Sequence, residues 1–172
     1  AHGITVPFGT GELSHLVQVQ GGEPFTYQNF LAKFNTLRMF YRSPEVIYRV
    51  TREAVEDAAN DNVRYLELRF TPVALSRAER FPLGDVMDWV CAAVARAQAQ
   101  HDIIARLIVS IKRDEPDTAS AIVEAAIQRK EHGIVAFDIS GDEVNYTLEP
   151  FAPIFRRARQ AGLGLTVHAG EA

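Results

Sequence analysis

The sequence predicts an α/β protein that forms part of a TIM-type (β/α)8 barrel, with about four parallel strands and helices on the outside. Four short apolar runs begin near residues 63, 105, 134 and 163, and segments with helical periodicity separate them. Strands separated by helices of this length pair in parallel through right-handed crossovers. The sequence stops at Ala172, just after the fourth strand. Because a parallel strand left bare on one face is unusual in a complete domain, part of a barrel is favoured over a small doubly wound sheet.

The residues before the first predicted strand have a helical pattern. Thr26 to about Arg42 carries apolar side chains at helical spacing. Ser43 and Pro44 then supply an N-cap and a proline at the first helical position, so we expect a second helix that reaches Asn60. The stretch Gly9 to Ser14 superficially suggests a dinucleotide-binding fingerprint, but it lacks the third glycine.

The following elements alternate regularly between strand and helix. Each strand candidate is a short apolar run, and each helix candidate is longer and amphipathic. Pro72 stops the first strand, and glycines close the later helices. We expect strands at 63–70, 103–111, 134–139 and 163–167, and helices at 83–100, 117–132 and 151–161.

Composition and charge restrict the classes of partner. A hydrophobic fraction of 47% and a charged fraction of 23% are typical of a globular protein. The net charge of −4, without a basic stripe, argues against nucleic acid, and no apolar run is long enough for a membrane span. The single cysteine, Cys91, forms no internal disulfide, which fits the cytoplasm. Its apolar neighbours predict buried packing, and one cysteine excludes a Cys-x-x-Cys zinc site.

Ionisable residues follow each apolar run at its C-terminal end. In parallel βα architectures these ends meet at one edge of the sheet, where functional groups collect. Buried charge is costly unless it is paired or functional, so the pattern predicts a site. Glu67 and Arg69 lie two positions apart on one strand face, and pairing with each other explains them as well as function does. The remaining groups are Lys112 to Asp114, Asp138 to Glu143, and His168 to Glu171.

His168 and Glu171 form the sharpest candidate pair. A histidine at the end of an apolar strand is either a satisfied core residue or a metal ligand. The small residues Ala169 and Gly170 allow a tight turn, which brings Glu171 into the same pocket. Metal-assisted hydrolysis commonly uses an imidazole that binds zinc and a nearby carboxyl group that transfers protons. The other histidines, weaker candidates near helix ends or in the unpatterned segment, are His2, His15, His101 and His132.

Three segments resemble successive strand motifs of the adenosine deaminase family. They are Tyr65 to Pro72, Ile134 to Glu143 and Leu165 to Glu171, and they occur in the family's order at compatible spacing across nearly the whole chain. The resemblance implies an eight-stranded barrel with a single catalytic zinc. It also implies hydrolytic removal of ammonia from the purine 6-position, which converts adenosine to inosine.

The same resemblance implies roles for three residues. His168 would be one zinc ligand. Glu171 would protonate the purine ring nitrogen beside the attacked carbon and so make that carbon electrophilic. Gly141 would offer its backbone N–H to another ring nitrogen. A glycine lets a flat base approach the main chain, and a protonated carboxyl group can donate in a water-poor pocket.

Several parts of the family pattern are absent from the sequence. The family places a His-x-His pair on the first barrel strand, a further histidine on a later strand and an Asp-Asp pair on the last, and none of these occurs here. One histidine cannot hold a catalytic zinc, which needs about three protein ligands. We therefore expect a single partial barrel domain, 1–172, in which 1–62 is a helical segment before the second barrel strand and 63–172 contains the βα units. The remaining zinc ligands and the remainder of the barrel would lie outside this chain, and the fragment alone would be inactive.

Other readings of the sequence stay open. Free adenine or another adenosine-containing metabolite could replace the purine nucleoside as the small-molecule substrate, although Asp138 to Glu143 looks more like the nucleoside enzymes. A doubly wound binding module without chemistry would need a glycine loop after its first strand, and none is convincing. A catalytically inactive relative that serves in interaction is also compatible with the absent partners of His168.

Overall fold

The computed structural model describes residues 10–24 and 26–171, in which three helices precede four strands that alternate with helices. The strands are β1 (Tyr65–Phe70), β2 (Ile104–Lys112), β3 (Ile134–Ser140) and β4 (Gly164–Leu165). The helices are α1 (Thr10–Val17), α2 (Tyr27–Arg38), α3 (Pro44–Asn60), α4 (Pro72–Ser76), α5 (Leu83–Gln98), α6 (Pro116–Ile127) and α7 (Ala152–Gln160). Two short 3-10 helices cover Lys130–His132 and Glu149–Phe151.

The four strands form one parallel sheet in sequence order, β1-β2-β3-β4. In this register Arg69 lies opposite Ile108, and Ser110 lies opposite Asp138. The predicted α/β class with parallel strands and outer helices is confirmed. The sequential order matches one side of a barrel and differs from a doubly wound sheet, in which the strand order reverses near the middle.

The helices cover one face of the sheet, because alternate strand residues enter the core beneath them. Leu107, Val109 and Ile111 of β2 and Phe137 and Ile139 of β3 are fully shielded from solvent in this core. The positions between them face the opposite side, and there they carry polar or charged side chains at the C-terminal ends of the strands. In a closed barrel this second face is the interior, so the sheet directs its polar residues toward the barrel axis.

Two helices lie in segments for which the sequence predicts no helix. Helix α1 lies in the stretch before Thr26, and α4 begins at Pro72, directly after β1. Proline stops the strand as expected, yet it also suits the first turn of a helix, where its missing N–H costs nothing. The described residues do not include His2, the run Ile4 to Phe8, or Gly9, the first glycine of the fingerprint-like stretch.

The expected element ends differ from the observed ones by a few residues. The helix expected over 117–132 ends at Ile127, and the chain continues through the 3-10 helix to Gly133, whose φ of 97° closes that turn. Only Gly164 and Leu165 of the fourth strand are regular, and they pair with Ala136 and Phe137 of β3. Its backbone still bonds to β3 farther along, as Thr166 N–H donates to Phe137 O and His168 N–H donates to Ile139 O, each at 3.0 Å.

Cys91 packs in the core on α5, as its apolar neighbours predict. Burial raises the pKa of its thiol to about 11, which keeps the thiol protonated near neutral pH. In the described part of the chain, none of the helices combines the length and apolar character needed to cross a membrane.

Candidate functional site

Side chains from all four strand ends meet on the polar face of the sheet, and the Asp138 carboxylate lies at their centre. Asp138 is fully buried, and Ser110 Oγ donates to its Oδ2 at 2.9 Å. Thr166 Oγ1 donates to Oδ1 at 2.7 Å. From β1, Arg69 Nε lies 3.3 Å from Oδ2 and supplies a positive charge. Burying a carboxylate without partners would be costly. These three partners offset the cost of burying Asp138.

His168 lies beside this carboxylate. Its Nδ1 is 2.9 Å from Asp138 Oδ2 without forming a hydrogen bond, and this buried nitrogen has no hydrogen-bond partner among the described residues. Its Nε2 is 3.3 Å from Arg69 Nη1. A guanidinium group can only donate, so this contact is a hydrogen bond in the tautomer that has its proton on Nδ1, next to the carboxylate. This tautomer has its lone pair on Nε2, one of the two nitrogens through which histidine binds metal.

The backbone of β4 determines the position of His168. The hydrogen bond from its N–H to Ile139 O keeps the residue in the ladder beyond the two regular strand residues. Thr166, two positions earlier, faces the same side of the sheet and reaches Asp138. The two side chains therefore share one face because of the strand's period of two, and a shift of one residue would direct both toward the helices.

A turn through Ala169 and Gly170 follows His168, and Gly170 has a φ of 81°. This left-handed conformation suits glycine, as the two small residues predict. Glu171 comes next, and its Oε2 lies 3.3 Å from the hydroxyl of Tyr27 on α2. The same hydroxyl lies 3.1 Å from the carbonyl oxygen of Gly141, so Tyr27 connects two of the sequence-predicted site residues.

Tyr27 is a site residue that the sequence did not indicate. Burial, and then the charge of Glu171, raises the pKa of its phenol, which keeps the hydroxyl protonated and able to donate. No motif surrounds Tyr27, and its partners Gly141 and Glu171 are 114 and 144 residues away in the sequence. Because the contact depends on how α2 packs above the strand ends, only the tertiary structure reveals it.

Gly141 directly follows β3 and has a left-handed conformation with a φ of 99°. A Cβ at this position would lie 3.5 Å from Arg113 N and from Asp114 Oδ1, so the space is ordinary and the backbone conformation is what favours glycine. The structure thus brings the backbone carbonyl of Gly141 and the side chain of Glu171 within 3.3 Å of one hydroxyl group.

The remaining sequence candidates have separate surroundings. Glu67 accepts a hydrogen bond from Tyr65 at 2.7 Å, while Arg69 pairs with Asp138, so the two have different partners. His101 lies 3.7 Å from Glu56, and His132 lies in a 3-10 helix, away from the strand ends that carry the site. Within 10–24 and 26–171, no three histidine, cysteine, aspartate or glutamate side chains converge on one metal position.

Comparison with known proteins gives one family. The adenosine deaminase family profile matches residues 1–172. The adenosine deaminase of Vibrio vulnificus strain CMCP6 is 41% identical over 143 residues, which are 83% of this chain and 43% of that protein. The crystal structure of a cog1816 amidohydrolase from Burkholderia ambifaria with bound Zn is 30% identical, with a TM-score of 0.80 over 96% of this chain and 45% of that one. The apo N6-methyl-AMP deaminase of Arabidopsis thaliana is 26% identical, with a TM-score of 0.77 over 94% of this chain and 48% of that one. The chain spans about half the length of each of these proteins.

Proposed function

Because the chain belongs to the adenosine deaminase family, we propose that it is part of a zinc-dependent enzyme that converts adenosine and water to inosine and ammonia. The rest of the barrel would come from residues outside this chain, with 1–62 preceding the second barrel strand and 63–172 supplying successive βα units. Since the chain has one cysteine and that thiol is buried, we place the enzyme in the cytoplasm.

The arrangement of His168, Asp138 and Arg69 is the observation that carries this proposal. His168 Nε2 lies on the polar side of the sheet, 3.3 Å from Arg69 Nη1, and a carboxylate lies beside Nδ1, so a zinc ion bound at Nε2 would take the place of the Arg69 contact. Metal-binding histidines commonly have such a carboxylate beside their second nitrogen, where it sets the tautomer and the ring orientation. His168 therefore fits the role of one zinc ligand, and at least two more would come from outside the described residues.

The chemistry that zinc supplies in a site of this kind is activation of water at neutral pH. Glu171 donates a proton to the purine ring nitrogen beside the 6-carbon, which makes that carbon electrophilic toward water. This step requires the protonated form of the carboxyl group. Water then adds at the 6-carbon and loses one proton to a base outside the described residues. The amino group takes up that proton and leaves as ammonia, and the hydroxyl proton of the adduct returns to Glu171 as the carbonyl group forms.

Gly141 and Tyr27 would orient the base. The absence of a side chain at Gly141 lets a flat purine approach the main chain, where the N–H donates to a second ring nitrogen. Tyr27 lies against both Gly141 O and the Glu171 carboxyl group, and so limits the directions that Glu171 can take. These contacts recognise only the purine ring, and they do not distinguish between different sugars or different substituents on the 6-amino group. The activity assay should therefore include adenine and N6-methyl-AMP as well as adenosine.

The two proposed roles are separated by His168→Ala and Glu171→Gln in the full-length protein. His168→Ala removes a ligand, so zinc content and ammonia release should both fall. Glu171→Gln should keep its zinc and lose turnover by about 10²–10⁴-fold, the usual loss when general acid–base catalysis is removed. Zinc is measured by metal analysis and turnover by ammonia release.

His132→Ala is the matched control, because His132 lies in a 3-10 helix away from the strand ends. It should retain both zinc and turnover. Loss of zinc in Glu171→Gln, or near-normal turnover in that variant, would show that the role assigned to Glu171 is wrong.

A further inference from the structure

The carboxylate of Glu143 binds the backbone of the turn that carries Glu171. Its Oε2 accepts from Gly170 N–H at 3.0 Å, and its Oε1 accepts from Glu171 N–H at 2.5 Å. Both oxygens of one side chain thus bind two successive amides of a tight turn. Hydrogen bonds from backbone amides to a carboxylate are charge-assisted and are among the stronger ones in proteins.

Arg113 holds the other end of the same turn. Its Nη2 donates to the carbonyl oxygen of His168 at 2.7 Å, and its Nη1 donates to the carbonyl oxygen of Tyr146 at 3.2 Å. The side chain is only 5% exposed. Its Nη2 also lies 4.0 Å from Glu143 Oε2, which places a negative charge beside this buried guanidinium.

The side chains of Arg113 and Glu143 bind the two ends of the segment from His168 to Glu171. Its first carbonyl is fixed by Arg113, which follows β2, and its last two amides are fixed by Glu143, which follows β3. The glycine at its centre has the conformational freedom to let the segment move. The position of the Glu171 side chain therefore depends on groups contributed by two other strands.

We propose that Glu143 is a positioning residue, which holds the Glu171 carboxyl group at the reacting ring nitrogen by capping the amides of Gly170 and Glu171. The proposal rests on the proposed function of Glu171 as the proton donor. Glu143 does not touch the substrate in this account and acts only through the turn. A displacement of about 1 Å in a catalytic group can reduce turnover by about 10²-fold, so a lost cap should reduce kcat.

The test uses Glu143→Gln and Glu143→Ala in the zinc-loaded full-length protein. Glutamine keeps the length and one carbonyl acceptor but turns an NH2 group toward the second amide, whereas alanine removes both acceptors. We expect kcat to fall about 10-fold in Glu143→Gln and about 100-fold in Glu143→Ala. KM and zinc content should stay within about threefold of the wild type, because neither the base contacts nor the metal ligand is altered.

Hydrogen exchange supplies a readout that does not depend on activity. The amides of Gly170 and Glu171 should exchange at least about 10-fold faster in Glu143→Ala than in the wild type, with glutamine in between. The matched control is Glu149→Gln, since Glu149 lies in the same β3–α7 connection and binds Thr147. It should change neither the exchange of the two amides nor kcat.

Several results would overturn the proposal. One is unchanged exchange at Gly170 and Glu171 in Glu143→Ala, and another is faster exchange with kcat unaltered. Loss of zinc or a general fall in stability in step with kcat would also overturn it, since that pattern indicates a structural role. If the wild-type protein released no ammonia from any purine, the proposed function would fail instead, and the exchange rates would still decide whether Glu143 caps the turn.

Discussion

Asp138 contacts side chains from each of the other three strands or their ends, although no contact between Asp138 and the substrate is proposed. Its carboxylate takes hydrogen bonds from Ser110 on β2 and Thr166 after β4, and it pairs with Arg69 on β1. It also lies beside the ring of His168. One fully buried charge therefore determines the surroundings of the histidine and the packing of the strand ends at the same time.

We expect Asp138→Asn to weaken zinc binding and to destabilise the fold. The asparagine amide is neutral, so it cannot offset the charge of Arg69, and no negative charge then lies beside Nδ1 of His168. Removing an outer carboxylate of this kind typically lowers metal affinity by about 10–100-fold. Because Arg69 is partly exposed, we expect a loss of only about 2 kcal/mol in the free energy of unfolding.

Zinc affinity would be measured by chelator competition, and stability by urea unfolding of the full-length protein. Ser110→Ala is the control, because it removes one neutral donor from the same carboxylate and should cost about 1 kcal/mol. Zinc affinity that is equal in Asp138→Asn and Ser110→Ala would contradict a special role for the charge.

Helix α3 shows how one element is fixed by local sequence. Ser43 Oγ accepts from the N–H of Val46 at 3.3 Å, and Pro44 occupies the first position. Ile47 and Val55 on one face of the helix are buried in the core. The cap satisfies one of the free amides at the helix start, and the apolar face anchors the helix to the rest of the core.

Ser43→Ala should therefore lower stability by about 1 kcal/mol, the usual cost of a lost N-cap side chain. Ser43→Asp should preserve stability, because aspartate also caps and its charge suits the helix N-terminus. Thermal and urea unfolding of the three proteins test this order. Equal stability of the serine and alanine forms would mean that the cap contributes nothing here.

On the scale of the whole molecule, the described residues leave apolar surface and two sheet edges without partners. Strands β1 and β4 each pair on one side only. The apolar side chains of α2 also remain exposed, since this helix packs mainly on α1. The exposed large apolar side chains on the strands and α2, or within two residues of their ends, are Tyr65, Ile104, Leu165, Val167, Phe30, Phe34, Leu37 and Met39. Open edges and apolar surface of this kind favour association with another chain.

We expect residues 1–172 produced alone to associate or aggregate and to lack activity. Light scattering and size-exclusion chromatography would measure the association. Leu165→Lys places a charge on the exposed edge strand and should reduce it, whereas a lysine on the exposed surface of α3, as in Val50→Lys, should change it less. A monodisperse monomer that melts cooperatively would contradict this expectation.

The sequence alone determined the α/β class, the places of the four strands, the start of α3 and the burial of Cys91. Each of these follows from patterns within a few residues: apolar periodicity, a capping serine before a proline, and small residues in a turn. It also singled out Gly141, His168 and Glu171, through motifs that resemble a family. The tertiary structure decided which groups surround them. Ser110 meets Asp138 across 28 residues and Tyr27 meets Glu171 across 144. Such contacts arise when parallel register and helix packing bring distant strand ends to one edge, and no local pattern encodes that register.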